Sequence, residues 1–234
     1  MADQQPLISI VVPTFNEGAT IEEIVRRVAA SPFRTEILVV DDGSTDSTAK
    51  TLRRLGNELP RVRALPQPVN RGKGAAVRVG IAASSGEVVV IQDADLEYDP
   101  KDLPSLLGPI LEGRADAVYG TRLRGGEPQR AHRFWHYAGN RFLSLLTNVL
   151  FNTTISDMEV GYKAFRGDMI RSIELVSDDF AIEPEMTAKL LRRKVRVYEV
   201  PISYYGRTFE EGKKITWRDG LKAVGALVRF RFSD

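Results

Sequence analysis

Four short apolar runs bounded by turn-forming residues punctuate the first half of the chain: Ile8-Ser9-Ile10-Val11-Val12, Glu36-Ile37-Leu38-Val39-Val40, Glu87-Val88-Val89-Val90-Ile91 and the shorter Ala117-Val118-Tyr119. Their length and β-branched content predict buried strands. Between them apolar residues recur at helical spacing, at about 18–30 (Ile21, Ile24, Val25 and Val28 on one stripe), 45–56, 73–84 and 101–113. Strand alternating with helix predicts an α/β fold, a mostly parallel sheet with helices on both faces. Ligands of such sheets sit outside the carboxyl ends of the strands. After Gly120-Thr121-Arg122 the pattern changes, and a Gly/Arg-rich loop from Leu123 to Arg133 leads into a helical stretch at roughly 134–151. No long polar linker, internal repeat or low-complexity tract intervenes, so one domain over 1–234 is expected, with halves 1–121 and 122–234.

At 234 residues, 43% hydrophobic and 27% charged, the chain is long enough to bury its own core. The net charge of +2 conceals an asymmetry, with 13 Lys/Arg against 17 Asp/Glu up to residue 121 and 20 against 14 after it. An acidic half and a basic half imply different ligands. The absence of cysteine excludes disulfides, thiol nucleophiles and thiolate metal sites, and is compatible with a reducing compartment. The first residues lack the features of a secretory signal and no apolar run reaches about 18 residues. Cytoplasmic residence with peripheral membrane contact is therefore expected. The arginines of the basic half are not interleaved with stacking aromatics, so no nucleic-acid partner is expected.

The residues after each strand carry the candidate chemistry: Pro13-Thr14-Phe15-Asn16-Glu17, then Asp41-Asp42-Gly43-Ser44, then Gln92-Asp93-Ala94-Asp95-Leu96-Glu97. Five carboxylates, Glu17, Asp41, Asp42, Asp93 and Asp95, thus crowd one edge, and like charges that close call for a cation or a hydrogen-bonding ligand. Asp93 and Asp95 offer hard oxygen ligands suited to Mg²⁺ or Mn²⁺, although the same spacing also caps turns. Asn70-Arg71-Gly72-Lys73-Gly74-Ala75 reads either as an anion loop at a helix start or as an ordinary glycine-rich turn. Arg122, Arg133 and Arg207 suit a phosphate, against the plain alternative of solvated surface arginines. Asp157 reads equally as a helix cap. Amphipathic stretches at Asn140–Phe151 and Leu221–Phe232 suit either a membrane interface or ordinary packing.

The ordered motifs PTFNE, VVDDGSTD, QDADLEYDP and VYGTR resemble those of the family 2 glycosyltransferases with the GT-A fold, particularly the branch typified by dolichyl-phosphate mannose synthases and other polyprenyl-phosphate sugar transferases. The resemblance covers about 7–218. It implies a nucleotide-sugar-binding first half and an acceptor-binding second half. It assigns Pro13, Phe15, Glu17, Asp42, Gly72, Lys73, Gly74, Asp93 and Ala94 to the nucleotide, and Asp93, Asp95 and Glu97 to the metal, Glu97 standing where close relatives have glutamine. Arg122, Arg133, Arg207 and Lys214 fall to the acceptor phosphate, and Asp157, with Asp95, to the reacting centre. In the segment Asp157-Met158-Glu159-Val160-Gly161-Tyr162, Val160 replaces a small hydroxyl residue of the family pattern.

The reaction implied is inverting transfer of a hexose or N-acetylhexosamine from a UDP- or GDP-sugar to polyprenyl phosphate at the cytoplasmic face of a membrane. Two rivals stay open: a glycosyltransferase with a soluble acceptor, and a non-catalytic nucleotide-sugar-binding partner protein. A membrane-embedded partner or a homodimer also stays open.

Overall fold

In the computed structural model, which describes residues 5–124, 134–207 and 217–233, the expected strands form β1 (Ile8–Thr14), β2 (Thr35–Asp41), β4 (Val88–Ile91) and β5 (Ala117–Thr121). The expected helices form α1 (Ile21–Ala29), α2 (Thr48–Glu58), α3 (Lys73–Ala83), α4 (Leu103–Leu111) and α5 (Phe134–Phe151). Beyond these lie β3 (Val62–Pro66), β6 (Lys163–Arg166), α6 (Gly167–Arg171), α7 (Ile182–Arg192), β7 (Val197–Pro201) and α8 (Trp217–Phe232).

The seven strands among the described residues make one sheet in the order β3-β2-β1-β4-β6-β5-β7. Its pairs are parallel except where β6 lies antiparallel between β4 and β5. The first and second halves of the chain therefore share one sheet. Every residue of β4 and β5 is buried, and all but one each of β1 and β2. Since successive side chains point to opposite faces, burial of consecutive residues means that both faces are covered. Ile21, Ile24, Val25 and Val28 of α1 form one fully buried stripe. The two edge strands are more exposed: Arg63 and Ala64 of β3 and Tyr198 of β7 face outward.

Helix α5 carries apolar side chains on two faces, with Leu146, Leu150 and Phe151 packed against the core. Leu143, Ser144 and Thr147 face inward, whereas Phe142, Leu145 and Val149 are 57%, 61% and 73% exposed. The inward polar groups are satisfied: Ser144 Oγ accepts from Met158 N (3.1 Å) and Thr147 Oγ1 donates to the Leu143 carbonyl (2.9 Å). Among the described residues no helix is long and apolar enough to cross a membrane.

Candidate active site

The carboxyl ends of β1, β2, β4, β5 and β7 open onto a cavity of about 640 Å³, roofed by the first turns of α5 and α8. Its walls hold Pro13, Phe15, Glu17, Asp42, Gly72, Lys73, Asp93, Ala94, Asp95, Glu97, Arg122 and Arg207. Most of the residues singled out in the sequence thus share one space. Arg133 and Lys214 lie outside the described residues.

Two loops are laced together to form the β1 and β2 side. Asn16, at φ 52°, accepts from Thr45 N through its side chain (2.9 Å), and its own N–H donates to Ser44 Oγ (2.9 Å). Asp41 turns back to accept from Ser44 N (3.0 Å). Asp42 is buried and accepts from Gln67 Nε2 (3.1 Å), Arg71 N (2.9 Å) and Gly72 N (2.7 Å). Its carboxylate therefore fixes the start of α3 from the cavity wall.

The turn Gly72-Lys73-Gly74 is explained by packing. Gly72 sits at φ 108°, and a Cβ at either glycine would collide with backbone oxygens of Ser177, Asp178 or Asp179. The Gly72 N–H goes to Asp42 and the Ala75 N–H to the Asp178 carbonyl. Those two amides are engaged by groups of the protein itself. Gly74 does not line the cavity, whereas Lys73 reaches into it, with Nζ 2.8 Å from Asp93 and 3.3 Å from Glu183. Glu183 in turn pairs with Lys163, a fully buried lysine of β6 that also donates to the Met158 carbonyl (3.1 Å). The chain Asp93–Lys73–Glu183–Lys163 balances two acids with two bases. Burial pushes the Glu183 carboxyl up, but Lys163 and Lys73 more than offset this and hold it below its ordinary range.

A second group gathers Glu17, Asp95 and Glu97 around Arg207, whose guanidinium lies 3.3 Å from Glu17 and 2.8 Å from Asp95, with Nε 3.8 Å from Glu97. The Arg207 N–H also donates to Glu97 (2.7 Å). Three acids face one base. Burial, together with the Asp93 and Glu97 charges, pushes the Asp95 carboxyl up to about 7 despite Arg207. Among the described residues, no group of three or more His, Asp or Glu side chains is arranged to hold a metal by itself.

Arg122 and Asp157 form the third group. Asp157 is fully buried and accepts from Arg122 Nε and a terminal guanidinium nitrogen, both at 2.7 Å, and from Arg122 N at 3.0 Å. Burial raises its carboxyl, yet Arg122 wins and holds it below the usual range. The backbone N–H groups of Ser156 and Asp157 donate to Glu199 of β7 (2.8 and 3.2 Å). Asp157 therefore caps no helix; it orients Arg122, whose guanidinium lies 5.0 Å from the Tyr204 ring centre. Tyr98 stacks on Tyr162 (5.5 Å) and meets Tyr204 at a tilt (5.6 Å), tying the three loops together.

Sequence reasoning missed Glu159, Lys163, Glu199 and the tyrosine stack. Glu159 stands in the quoted Asp157–Tyr162 segment, and a charged residue two positions past an aspartate before a strand was the available signal. Its Oε1 is sealed from solvent with no hydrogen-bond partner among the described residues. Burial, which Lys163 only partly offsets, and the nearby Glu183 charge push this carboxyl up to about 7.

With this geometry in hand, comparison with known proteins identifies the family. The family model for glycosyl transferase family 2 matches residues 9–173. The chain belongs to glycosyl transferase family 2. Among curated relatives, the undecaprenyl-phosphate mannosyltransferase of Micrococcus luteus is 30% identical over 213 residues, 87% of this chain and 85% of that protein. The dodecaprenyl-phosphate galacturonate synthase of Rhizobium johnstonii is 29% identical over 205 residues, 86% of this chain and 59% of that protein. The dolichol-phosphate mannosyltransferase of Pyrococcus furiosus is 29% identical over 88% of this chain and 58% of its own length. The chain thus spans well under two thirds of the latter two relatives. Among solved structures, glucosyl-3-phosphoglycerate synthase from Mycobacterium tuberculosis, in complex with Mn²⁺, UDP and glucosyl-3-phosphoglycerate, superposes with a TM-score of 0.76 at 22% identity, covering 100% of this chain and 82% of that one. The fold of this family 2 member is GT-A.

Proposed function

We propose that the protein transfers a hexose or N-acetylhexosamine, with inversion, from a UDP- or GDP-sugar to polyprenyl phosphate. The observation that carries this reading is the meeting, in one cavity, of the Asp93/Asp95/Glu97 carboxylates with Arg122 and Arg207, beneath a helix that exposes Phe142, Leu145 and Val149. The names of the curated relatives, which act on undecaprenyl, dodecaprenyl or dolichol phosphate, support the acceptor class.

The acid-rich group suits a divalent cation. Burial, with the Asp93 and Glu97 charges, pushes the Asp95 carboxyl up to about 7 despite Arg207, so further positive charge among these acids is favourable. Mg²⁺ and Mn²⁺ complete their shells with water and phosphate oxygens, so Asp93 and Asp95, with Glu97 beside them, are sufficient protein ligands. Bound there, the ion supplies Lewis-acid stabilisation of the departing diphosphate.

In the reaction, an oxygen of the acceptor phosphate forms a bond to the anomeric carbon as the bond from that carbon to the diphosphate oxygen breaks. The nucleoside diphosphate leaves and the anomeric configuration inverts. The phosphate nucleophile is already an anion near neutral pH and needs orientation more than deprotonation. Arg122 supplies it: Asp157 fixes its guanidinium and keeps it charged, while its place on the cavity wall leaves it within reach of an anion. With both oxygens engaged and its carboxyl held low, Asp157 serves as a positioning group and not as a proton acceptor.

The outward apolar residues of α5, with exposed Leu221, Val228 and Phe232 of α8 beside Arg229 and Arg231, support contact with an anionic membrane surface. The test is a panel of radiolabelled UDP- and GDP-sugars with polyprenyl phosphate and Mn²⁺ or Mg²⁺. Lipid-extractable label is expected, lost on chelation and reduced about 100-fold in R122A, the loss of a buried oriented cation. Label in a soluble phosphorylated acceptor alone would establish the soluble-acceptor rival, and metal-dependent donor binding without turnover the non-catalytic one.

A further inference from the structure

In the acid-rich group the protein's own cation stands at the carboxylate best placed to ligate a metal. Asp95 accepts from Glu97 N at one oxygen (3.1 Å) and from the Arg207 guanidinium at the other (2.8 Å). Glu97 accepts from Arg207 N (2.7 Å) and from the Tyr204 hydroxyl (3.0 Å), and its carbonyl accepts from Tyr205 N (2.9 Å). The backbone that carries Arg207 is therefore pinned to the end of β4. Its side chain is held less well. The contacts to Glu17 are long, 3.3 and 3.4 Å, and Nε is sealed from solvent with no hydrogen-bond partner among the described residues. The guanidinium spans three acids and makes one short contact, to Asp95 Oδ2, whereas Arg122 makes a two-pronged fit to Asp157. Mg²⁺ ligated by that Asp95 oxygen lies about 2.1 Å from it. It would stand beside a guanidinium nitrogen 2.8 Å from the same atom, and cations that close repel.

We propose that Arg207 competes with the divalent cation for Asp95: its guanidinium is the counter-ion of the acid group while no metal is bound, and is released into the cavity when one binds. The inference rests on the metal-site reading above and not on the identity of the sugar or the acceptor. Glu17, Asp95 and Glu97 carry more charge than one guanidinium balances, and a divalent ion brings twice as much. The anchors at Glu97 keep the backbone of Arg207 in place, so the released side chain stays on the cavity wall. Arg207 then turns to an anionic ligand only in the metal-loaded state. Arg122, held by its own buried partner, is available in both states.

The experiment is calorimetric titration of the nucleotide-free protein with Mn²⁺. R207Q, which removes the charge and keeps a polar side chain, is expected to bind Mn²⁺ at least about tenfold more tightly than wild type, the reverse of the loss a merely structural arginine would give. R207K retains the competing charge and should stay within about threefold of wild type. The gain should vanish in R207Q/D95N, which places it at Asp95. Release of the side chain is read separately, by mass spectrometry of phenylglyoxal adducts on the wild-type protein. Saturating Mn²⁺ should raise labelling of Arg207 at least about threefold and leave the surface Arg54 unchanged. That measurement needs no variant, so it decides the matter even where R207Q folds poorly. Equal or weaker Mn²⁺ binding by folded R207Q, a gain that survives D95N, or Arg207 labelling that Mn²⁺ does not raise overturns the inference. Failure of wild type and R207Q alike to bind Mn²⁺, with or without UDP or GDP, overturns the metal-site reading itself, and this inference with it.

Discussion

At the scale of single residues, the pair Arg122–Asp157 sets the largest expected effect. Removing one partner of a buried ion pair strands the other, which typically costs about 3–5 kcal/mol. R122A should therefore lower the melting temperature by roughly 10 °C, at about 2–4 °C per kcal/mol for a chain of this size. R122K should recover part of that loss, because the charge returns without the two-pronged fit. The pH dependence has a definite sign. Asp157 titrates below its ordinary range in the folded protein, so its contribution is complete above that range and is lost as pH falls through the lowered value. The gap between wild type and R122A should accordingly close toward acid pH in thermal melts. Glu159 has the opposite sign. Its folded value of about 7 lies above the unfolded one, so the stability it contributes is present below about 4.5 and lost as pH rises through 7. E159Q should raise the melting temperature at pH 8 and leave it nearly unchanged at pH 4.

At the scale of elements, what the sequence reveals follows from how local the cause is. Strands β1, β2, β4 and β5 read as largely apolar runs because both their faces are covered, and α1 announces itself by one stripe. Strand β3 escapes because it is an edge with Arg63 and Ala64 turned outward. β6 escapes because its central place is held by Lys163, whose burial depends on Glu183, twenty residues away. The acids at the strand ends were legible from topology alone. Their partners were not: Arg207 meets Asp95 across more than a hundred positions, and only the packed sheet makes them neighbours. Asp42 and the glycines at the start of α3 show the same limit, since a pattern that suggests an anion loop is also what close packing of a helix start requires. That packing gives a test. G74A would drive a methyl group into the Ser177 and Asp179 carbonyls, and G72A adds the strain of φ 108°. Both should cost about 1–3 kcal/mol in urea unfolding, with G72A the larger.

At the scale of the whole molecule, the question is why a protein would keep Phe142, Leu145 and Val149 on the outside of α5 while its polar Ser144 and Thr147 face in. Exposed apolar residues scattered singly need no explanation, but a face of them on a helix whose first turns line the cavity does. A lipid-borne acceptor supplies one. In the proposed reaction its phosphate would reach Arg122 while its chain stayed in the bilayer, which would require the surface near the cavity to rest at the interface. Helix α5 begins at the cavity, with Trp135, His136 and Tyr137 in its wall, and α8 packs beside it with Arg229 and Arg231 near its end. Two forces then act together: apolar burial, insensitive to salt, and attraction to anionic lipid, screened beyond a Debye length of about 8 Å in physiological salt. They are separable by mutation. Replacing Phe142, Leu145 and Val149 by serine should reduce co-sedimentation with phosphatidylglycerol vesicles at least about tenfold at any salt concentration, with little loss of stability because all three are exposed. R229E/R231E should reduce it mainly at low salt. Nucleotide binding in the cavity should survive both sets, because none of these side chains lines it. Vesicle binding that depends on neither set would mean that the exposed helix face serves another surface.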